Sequence, residues 1–263
     1  MLNFTEISTR LKMKVIRKEL NLPADLACKL CLLYNGTITN GRRGTDMSED
    51  MVKAAYGILK EKIIACAYPP GSLLSANQIA GELNMSRTPI QGAFIRLEHD
   101  GYVSAVEKRG ILVRELAFRD FYEITDAILY GMIYAAEGNE DFCQAIDREG
   151  FDRLVEECAR AKANGDYIAY SRQTLACFEI IASTQGNATM MLWFREMLNK
   201  FLRYCNFSAQ TNANQSKYTR LDMLRSVGAA LRENDRAGVV RVLWDFMRKN
   251  RETLSALRTG PLY

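Results

Sequence analysis

Arg87, Thr88 and Gln91 follow Ser86 at the spacing of one helix face, and Lys108, Arg109 and Gly110 form a short charged turn farther on. An arginine can donate two parallel hydrogen bonds to guanine O6 and N7, and a glutamine pairs in the same forked way with adenine N6 and N7. Lysine and arginine at a hairpin tip can meet phosphates or enter a minor groove. These residue types suit recognition of duplex DNA rather than bond-breaking chemistry. The remainder offers little for catalysis: His99 is the one histidine, and there is no glycine-rich phosphate loop, no His-based catalytic pair and no metal-ligand cluster.

The segment 69–113 holds the elements that must position these side chains. Tyr68-Pro69-Pro70-Gly71 is expected to stop a first helix, whose buried stripe is Val52, Ala55, Tyr56, Leu59 and Ile63 and whose N-cap is Ser48. Ser75 and Gln78 have the spacing of a capping box that starts a second helix with Ile79, Ala80 and Leu83 inward. Asn84-Met85 makes the turn, Ser86 caps the third helix, and Pro89 is tolerated in its first turn. On that helix Ile90, Ala93, Phe94 and Leu97 share the inward face. Thr88, Gln91, Gly92, Ile95 and Arg96 point the other way, with Arg87 at the exposed N-terminal end. Gly92 lowers helix propensity by about 1 kcal/mol against alanine, which is tolerable if bare backbone must lie close to a duplex. Arg96 is read either as a solvated surface residue or as the partner of Asp100, and His99 as a residue on the exposed helix end. After Asp100-Gly101 the period becomes two: 102–106 and 111–113 are expected as strands turning through Glu107-Lys108-Arg109-Gly110.

Bulk charge adds nothing to this reading. The chain carries 35 Lys and Arg against 31 Asp and Glu, a net charge of +4. Counted along the sequence, residues 1–46 hold 8 basic against 4 acidic side chains, residues 47–116 hold 8 of each, and residues 117–263 hold 19 of each. The excess lies ahead of the motif, so only local placement of basic groups can favour DNA. Seven cysteines without framework spacing suit free thiols in a reducing cytosol, and Cys28-x-x-Cys31 lacks the further ligands a structural zinc needs. No apolar run of about 18 residues is present to span a membrane, and the first residues lack a secretory signal. Residues 1–46 are weakly patterned. One reading makes them a basic arm that reaches the DNA. The preferred one places the native start at Met47, because Arg42-Arg43-Gly44 can be encoded by a purine-rich run resembling a ribosome-binding site.

Beyond Phe118 proline is absent until Pro261, and apolar residues recur at three and four, as in Val239, Val240, Leu243, Phe246 and Met247. Breaks at 138–139, 163–166, 184–187, 208–216 and 234–235 divide 118–258 into six helices. The fold class is therefore mainly α: an N-terminal winged helix-turn-helix over 47–116, then an all-helical bundle over 117–263.

The stretches PPGSLL, LSANQIAGELNMSRTPIQGAFIRLEHDGYV and KRGILV resemble the winged-helix domain of GntR-type bacterial repressors, over residues 51–116. The helical part, opening with LAFRDFYEITDAI, is more loosely similar to the effector-binding (FCD) domain of that family's FadR-like branch. Carried across by position, the resemblance puts DNA contacts at Asn77, Arg87, Thr88, Gln91, Arg109 and Gly110, to which Arg96 and Lys108 are added from their own placement. Gln91 and Asn77 stand where arginine is common, which implies a shift from guanine toward adenine at one operator position.

Many members of that branch hold a divalent metal on one aspartate and three histidines. Leu175, Glu179, Leu224 and Phe246 align with the relevant positions and Ile128 with a usual carboxylate-binding arginine, so no metal and no cofactor are expected. A small molecule would meet a less polar pocket, with Tyr130, Arg172, Glu179, Trp193, Arg195, Arg203 and Tyr204 as lining candidates. The expectation is a cytoplasmic, homodimeric transcriptional repressor, not an enzyme, that binds a pseudo-palindromic operator and responds to a metabolite. The alternatives are a helical domain that only dimerises or binds a partner, and an enzyme with an auxiliary DNA-binding head.

Overall fold

The structure is a computed structural model that describes residues 44–211 and 218–259, with side chains placed for 49–211 and 218–253. Cys28, Cys31 and the two readings of the N-terminal segment concern residues outside the described ones. The described residues from Met51 onward form one compact unit, and residues 44–50, the start of the first helix, fall outside it.

Helix α1 (Gly44–Ile64) begins four residues ahead of Ser48, since nothing in Gly44-Thr45-Asp46-Met47 interrupts a helix once it has started. It also ends earlier than the prolines require. Cys66 adopts φ 56°, and the amides of Cys66 and Ala67 return to the carbonyls of Ile63 and Lys62. That pair of bonds is a Schellman stop. Gly71, at φ +82°, then turns the chain into a strand that the sequence pattern did not suggest, β1 (Leu73–Leu74).

Helix α2 (Ala76–Glu82) and helix α3 (Arg87–His99) are the helix-turn-helix pair. Both have the expected serine at the N-cap with extended backbone, Ser75 and Ser86, yet neither side chain makes a capping hydrogen bond. The predicted capping box is therefore not formed. Both serines are exposed, where water competes for the same amides. The stop after α2 is another Schellman pair, Met85 N–H to Ala80 and Asn84 N–H to Gly81, with Asn84 at φ 51°.

Strands β2 (Val103–Val106) and β3 (Gly110–Val113) make the wing hairpin, with Ala105 opposite Ile111. β1 pairs antiparallel with β3, giving a three-stranded sheet in the order β1-β3-β2. Ala55, Leu59 and Ile63 of α1, Ile79 of α2, Ile90, Ala93, Phe94 and Leu97 of α3, and Val103 and Val113 of the sheet form the core beneath.

The rest is helical. The long helices are α4 (Phe118–Gly138), α6 (Arg148–Ala163), α7 (Tyr167–Ser183), α8 (Ala188–Thr211), α9 (Leu221–Arg232) and α10 (Arg236–Thr259). A one-turn helix not anticipated from the pattern, α5 (Phe142–Ala145), bridges α4 to α6. Helix α8 runs through Ser208, where a break was expected, because Ser208 is buried within the bundle and not in a loop. Asp147 and Asp166 cap α6 and α7, each accepting a backbone N–H three residues on at 2.9 Å. Helix α4 packs on α10, α8 and α7, while α7 also meets α6 and α8. Their shared interior includes Phe121, Met132, Phe151, Phe178, Phe194, Phe201 and Leu224.

One local expectation is overturned. Gly92 does not keep backbone bare for a duplex; it faces α1. A Cβ at Gly92 would lie 2.9 and 3.1 Å from the two γ-methyl carbons of Val52, and a β-branched side chain on a helix has little freedom to turn aside. Gly92→Ala in the unaltered chain should lower stability by about 1 kcal/mol, because crowding outweighs the helix propensity gained. In a Val52→Ala background the same change should raise stability by about 1 kcal/mol. Urea denaturation of the four proteins checks this; a stabilising Gly92→Ala in the parent chain would remove the close-approach explanation.

Candidate nucleic-acid interface

Burial of the inward face of α3 fixes what it presents outside. Arg87, Thr88, Gln91 and Ile95 are exposed, and Arg96 is half-buried. Asn77 is exposed on α2. Arg87 and Gln91 have no hydrogen-bond or ion-pair partner among the described residues. Their donors are thus uncommitted.

At the wing tip Arg109 N–H closes the turn on Val106 O at 3.0 Å, and Lys108 sits at φ 58° with its side chain 88% exposed. Its ammonium is 3.8 Å from the equally exposed Glu107, a pair worth little in water. Gly110 is half-buried at φ +116°, and a Cβ there would lie 2.7 Å from the Leu74 carbonyl oxygen. Both the turn and the closure of β1 on β3 demand glycine at this position, independently of any contact to DNA.

The winged helix is joined to α8 by polar contacts. Lys60 of α1 donates to Glu196 of α8 at 2.5 Å and to the Tyr56 hydroxyl at 2.9 Å, and Tyr56 donates to Asp100 at the end of α3 at 2.5 Å. Farther along α8, the buried Arg203 donates to the backbone carbonyl of Arg114, and Asn206 donates to that of Ile64 at 2.8 Å. Leu202 packs against both apolar cores. For Asp100, partial burial opposes ionisation, but hydrogen bonds from Tyr56 and His99 outweigh it and hold the carboxyl below its ordinary value. His99 itself is exposed, as expected.

The candidate effector residues do not converge on one place. Glu179 and Arg195 pair across α7 and α8 at 2.6 Å near the surface, and Arg172 is exposed on α7. Trp193 packs on α4 at Gly131 and remains partly exposed. Tyr130 lies on the outer face of α4, its hydroxyl receiving a bond from Arg251 at 2.7 Å and its ring edge-on to Trp244. Arg251 and Trp244 also line an open hollow of about 460 Å³ on α10, with Met247, Arg248 and Glu252. Arg203 belongs to the junction with the winged helix, while Tyr204 is buried against Phe121 with ring centroids 4.4 Å apart.

The positions that would have to hold a metal carry the wrong chemistry. Leu175 and Leu224 are buried hydrocarbon, Phe246 is aromatic, and Glu179 is engaged by Arg195. These side chains do not fit a divalent ion. Sequence reasoning overlooked Arg220, which is buried at the start of α9. No local signal could have found it, since its neighbours come from α4, α7 and α8.

Residues 51–113 match the model of the bacterial regulatory proteins of the gntR family. An HTH-type transcriptional regulator from the TAR-I ttuE–ttuC' intergenic region of Agrobacterium vitis is 37% identical over 84 residues, 31% of this chain and 49% of that protein. The HTH-type transcriptional repressor RspR of Escherichia coli is 34% identical over 62 residues, 24% of this chain and 27% of RspR. The chain thus spans about half the length of the first relative and about a quarter of the second. Among solved structures, a GntR transcriptional regulator from Rhodococcus sp. RHA1 superposes with a TM-score of 0.66, and E. coli McbR/YncC with 0.61. Each is 18% identical and covers 80% of this chain and 99% of its own. The likeness extends the shared fold through the helical region.

The junction makes an acid-sensitivity prediction. A carboxyl whose folded pKa is depressed contributes stability that is complete above its unfolded value and is lost as pH falls through the folded one. For Asp100 that window opens below the ordinary value of 3.8. Tyr56→Phe removes its main donor, so the parent should be the more stable at pH 6, and the gap should close as pH falls below 3.8. Urea denaturation across pH 3–6 measures it, and a gap that does not change with pH contradicts the assignment.

Proposed function

We propose that this chain is a sequence-specific DNA-binding transcriptional regulator, a repressor that acts in the cytoplasm as a homodimer and senses a small metabolite through its helical region. The observation that carries the reading is the set of exposed donors on a fixed frame: Arg87, Thr88 and Gln91 at the N-terminal end of α3, with Lys108 and Arg109 on the wing. In helix-turn-helix docking this end of the recognition helix meets base edges in the major groove. The wing basics lie where phosphates or the minor groove would be met, and Asn77 and Arg96 flank the same surface. Residues 47–116 are taken as the DNA-binding domain and 117–263 as the effector-binding and dimerisation domain. The repressor role is favoured by the name of RspR, whose similarity extends over 62 residues, 24% of this chain.

Two heads on a twofold dimer would read an inverted repeat. Gln91, in place of an arginine, favours adenine at one position of each half-site. A helical region that only dimerises is the second reading. It is favoured by the pairing of Glu179 with Arg195 and of Arg251 with Asp126, which engages those polar groups with one another.

Against its preferred operator, measured by fluorescence anisotropy, Arg87→Ala should lose about 1–3 kcal/mol of binding and relax selectivity at one base pair. Lys108→Ala should weaken all sequences alike and reduce the salt slope by about 1. An Arg87→Ala protein that keeps full affinity and selectivity would falsify the assignment of α3 as the reading helix.

A further inference from the structure

Ile95 is the one large apolar side chain that α3 leaves in water, at 68% exposed. Arg87, Gln91 and Ile95 recur at every fourth residue and are all exposed, so they lie along one outward stripe of the helix. Just beyond Ile95, Glu98 accepts the backbone N–H of Ala105 in β2 at 2.6 Å. That bond ties the wing strand to the end of α3. Ile95 therefore stands between the two basic parts of the surface: Arg87 at the start of the stripe, and the hairpin carrying Lys108 and Arg109, which joins α3 at Glu98.

A lone apolar residue on a protein surface is ordinary, but the position of this one is not. A duplex that meets both Arg87 and the wing has to pass across it. Its neighbours on the exposed face, Thr88 and Gln91, are polar, so Ile95 has no apolar cluster of its own to join. The major groove offers one apolar group at the base edges, the C5-methyl of thymine. Isoleucine is suited to it. A β-branched side chain on a helix keeps largely to one χ1 rotamer, so its methyl groups are in place before contact and little freedom is lost on binding. Four residues of helix rise about 6 Å, less than two base steps of about 3.4 Å. The methyl group thus belongs within about two base pairs of the one that Gln91 meets.

We propose, on the DNA-binding reading of this surface, that Ile95 is a specificity-determining residue that packs on the C5-methyl group of one thymine in each half-site. It adds a hydrocarbon contact to a recognition stripe otherwise made of hydrogen-bonding groups.

The test is fluorescence anisotropy of the full chain on the duplex it selects from a random pool. Each thymine of the half-sites is replaced in turn by deoxyuridine, which removes the methyl group and nothing else. For the parent, one such replacement should weaken binding about fourfold per half-site, the worth of a single methyl group returned to water. It should fall within about two base pairs of the position where Gln91→Ala relaxes selectivity. In Ile95→Ala the same replacement should have almost no effect, since its partner is already gone. Ile95→Ala should melt with the parent, because the side chain is exposed, so its loss of discrimination is not misfolding. A parent indifferent to every deoxyuridine, a selected half-site without thymine in that interval, or an Ile95→Ala protein that keeps the full penalty overturns the proposal. A parent that binds selected and random duplexes equally overturns the DNA-binding reading itself, and the proposal with it.

Discussion

The rotation of α3 about its own axis decides which of its side chains face outward. Burial of Ile90, Ala93, Phe94 and Leu97 fixes that rotation. Ile90, Phe94 and Leu97 each gain roughly 1.5–3 kcal/mol from leaving water, and a helix turned by one residue would forfeit these gains together. With the inward stripe set, helical geometry leaves Arg87, Thr88 and Gln91 no choice but to face outward. Gly92 allows α3 to approach Val52 of α1, and Asn84 at φ 51° ends α2 in time for α3 to begin. On the other side Gly110 lets β3 close on β1, which holds the wing beside α3.

Helix α8 links this head to the bundle through opposite faces. Glu196, Arg203, Asn206 and Gln210 bond to the winged helix, whereas Phe194, Leu198, Phe201 and Cys205 lie in the bundle interior. A polar junction of this kind gains little net stability over an apolar one, but its hydrogen bonds fix one relative orientation. Phe201, under the Arg220 guanidinium, and Arg203, bonded to the Arg114 carbonyl, are two residues apart on this helix.

Local chemistry made the helix-turn-helix, the wing and the six long helices legible, because turns, breaks and apolar periods are written within a few residues. β1 was missed because two residues are too few to show a period, and its pairing partner Leu112 is remote in sequence. Gly92 was misread for the same reason: the side chain that demands it, Val52, lies on another helix. Ser75 and Ser86 were placed correctly as N-caps, but whether a side chain caps or yields to water depends on exposure. The helical region was the hardest. Its polar residues divide among surface pairs, the α8 junction and a buried cation, and a one-dimensional pattern cannot sort these from one another.

The most direct test of the account is selection of bound duplexes from a random pool by the purified full-length chain at moderate ionic strength, followed by sequencing. The account predicts enrichment of an inverted repeat whose half-sites lie one helical turn, about 10 base pairs, or a multiple of it apart. A bound fraction indistinguishable in sequence from the input pool would contradict it.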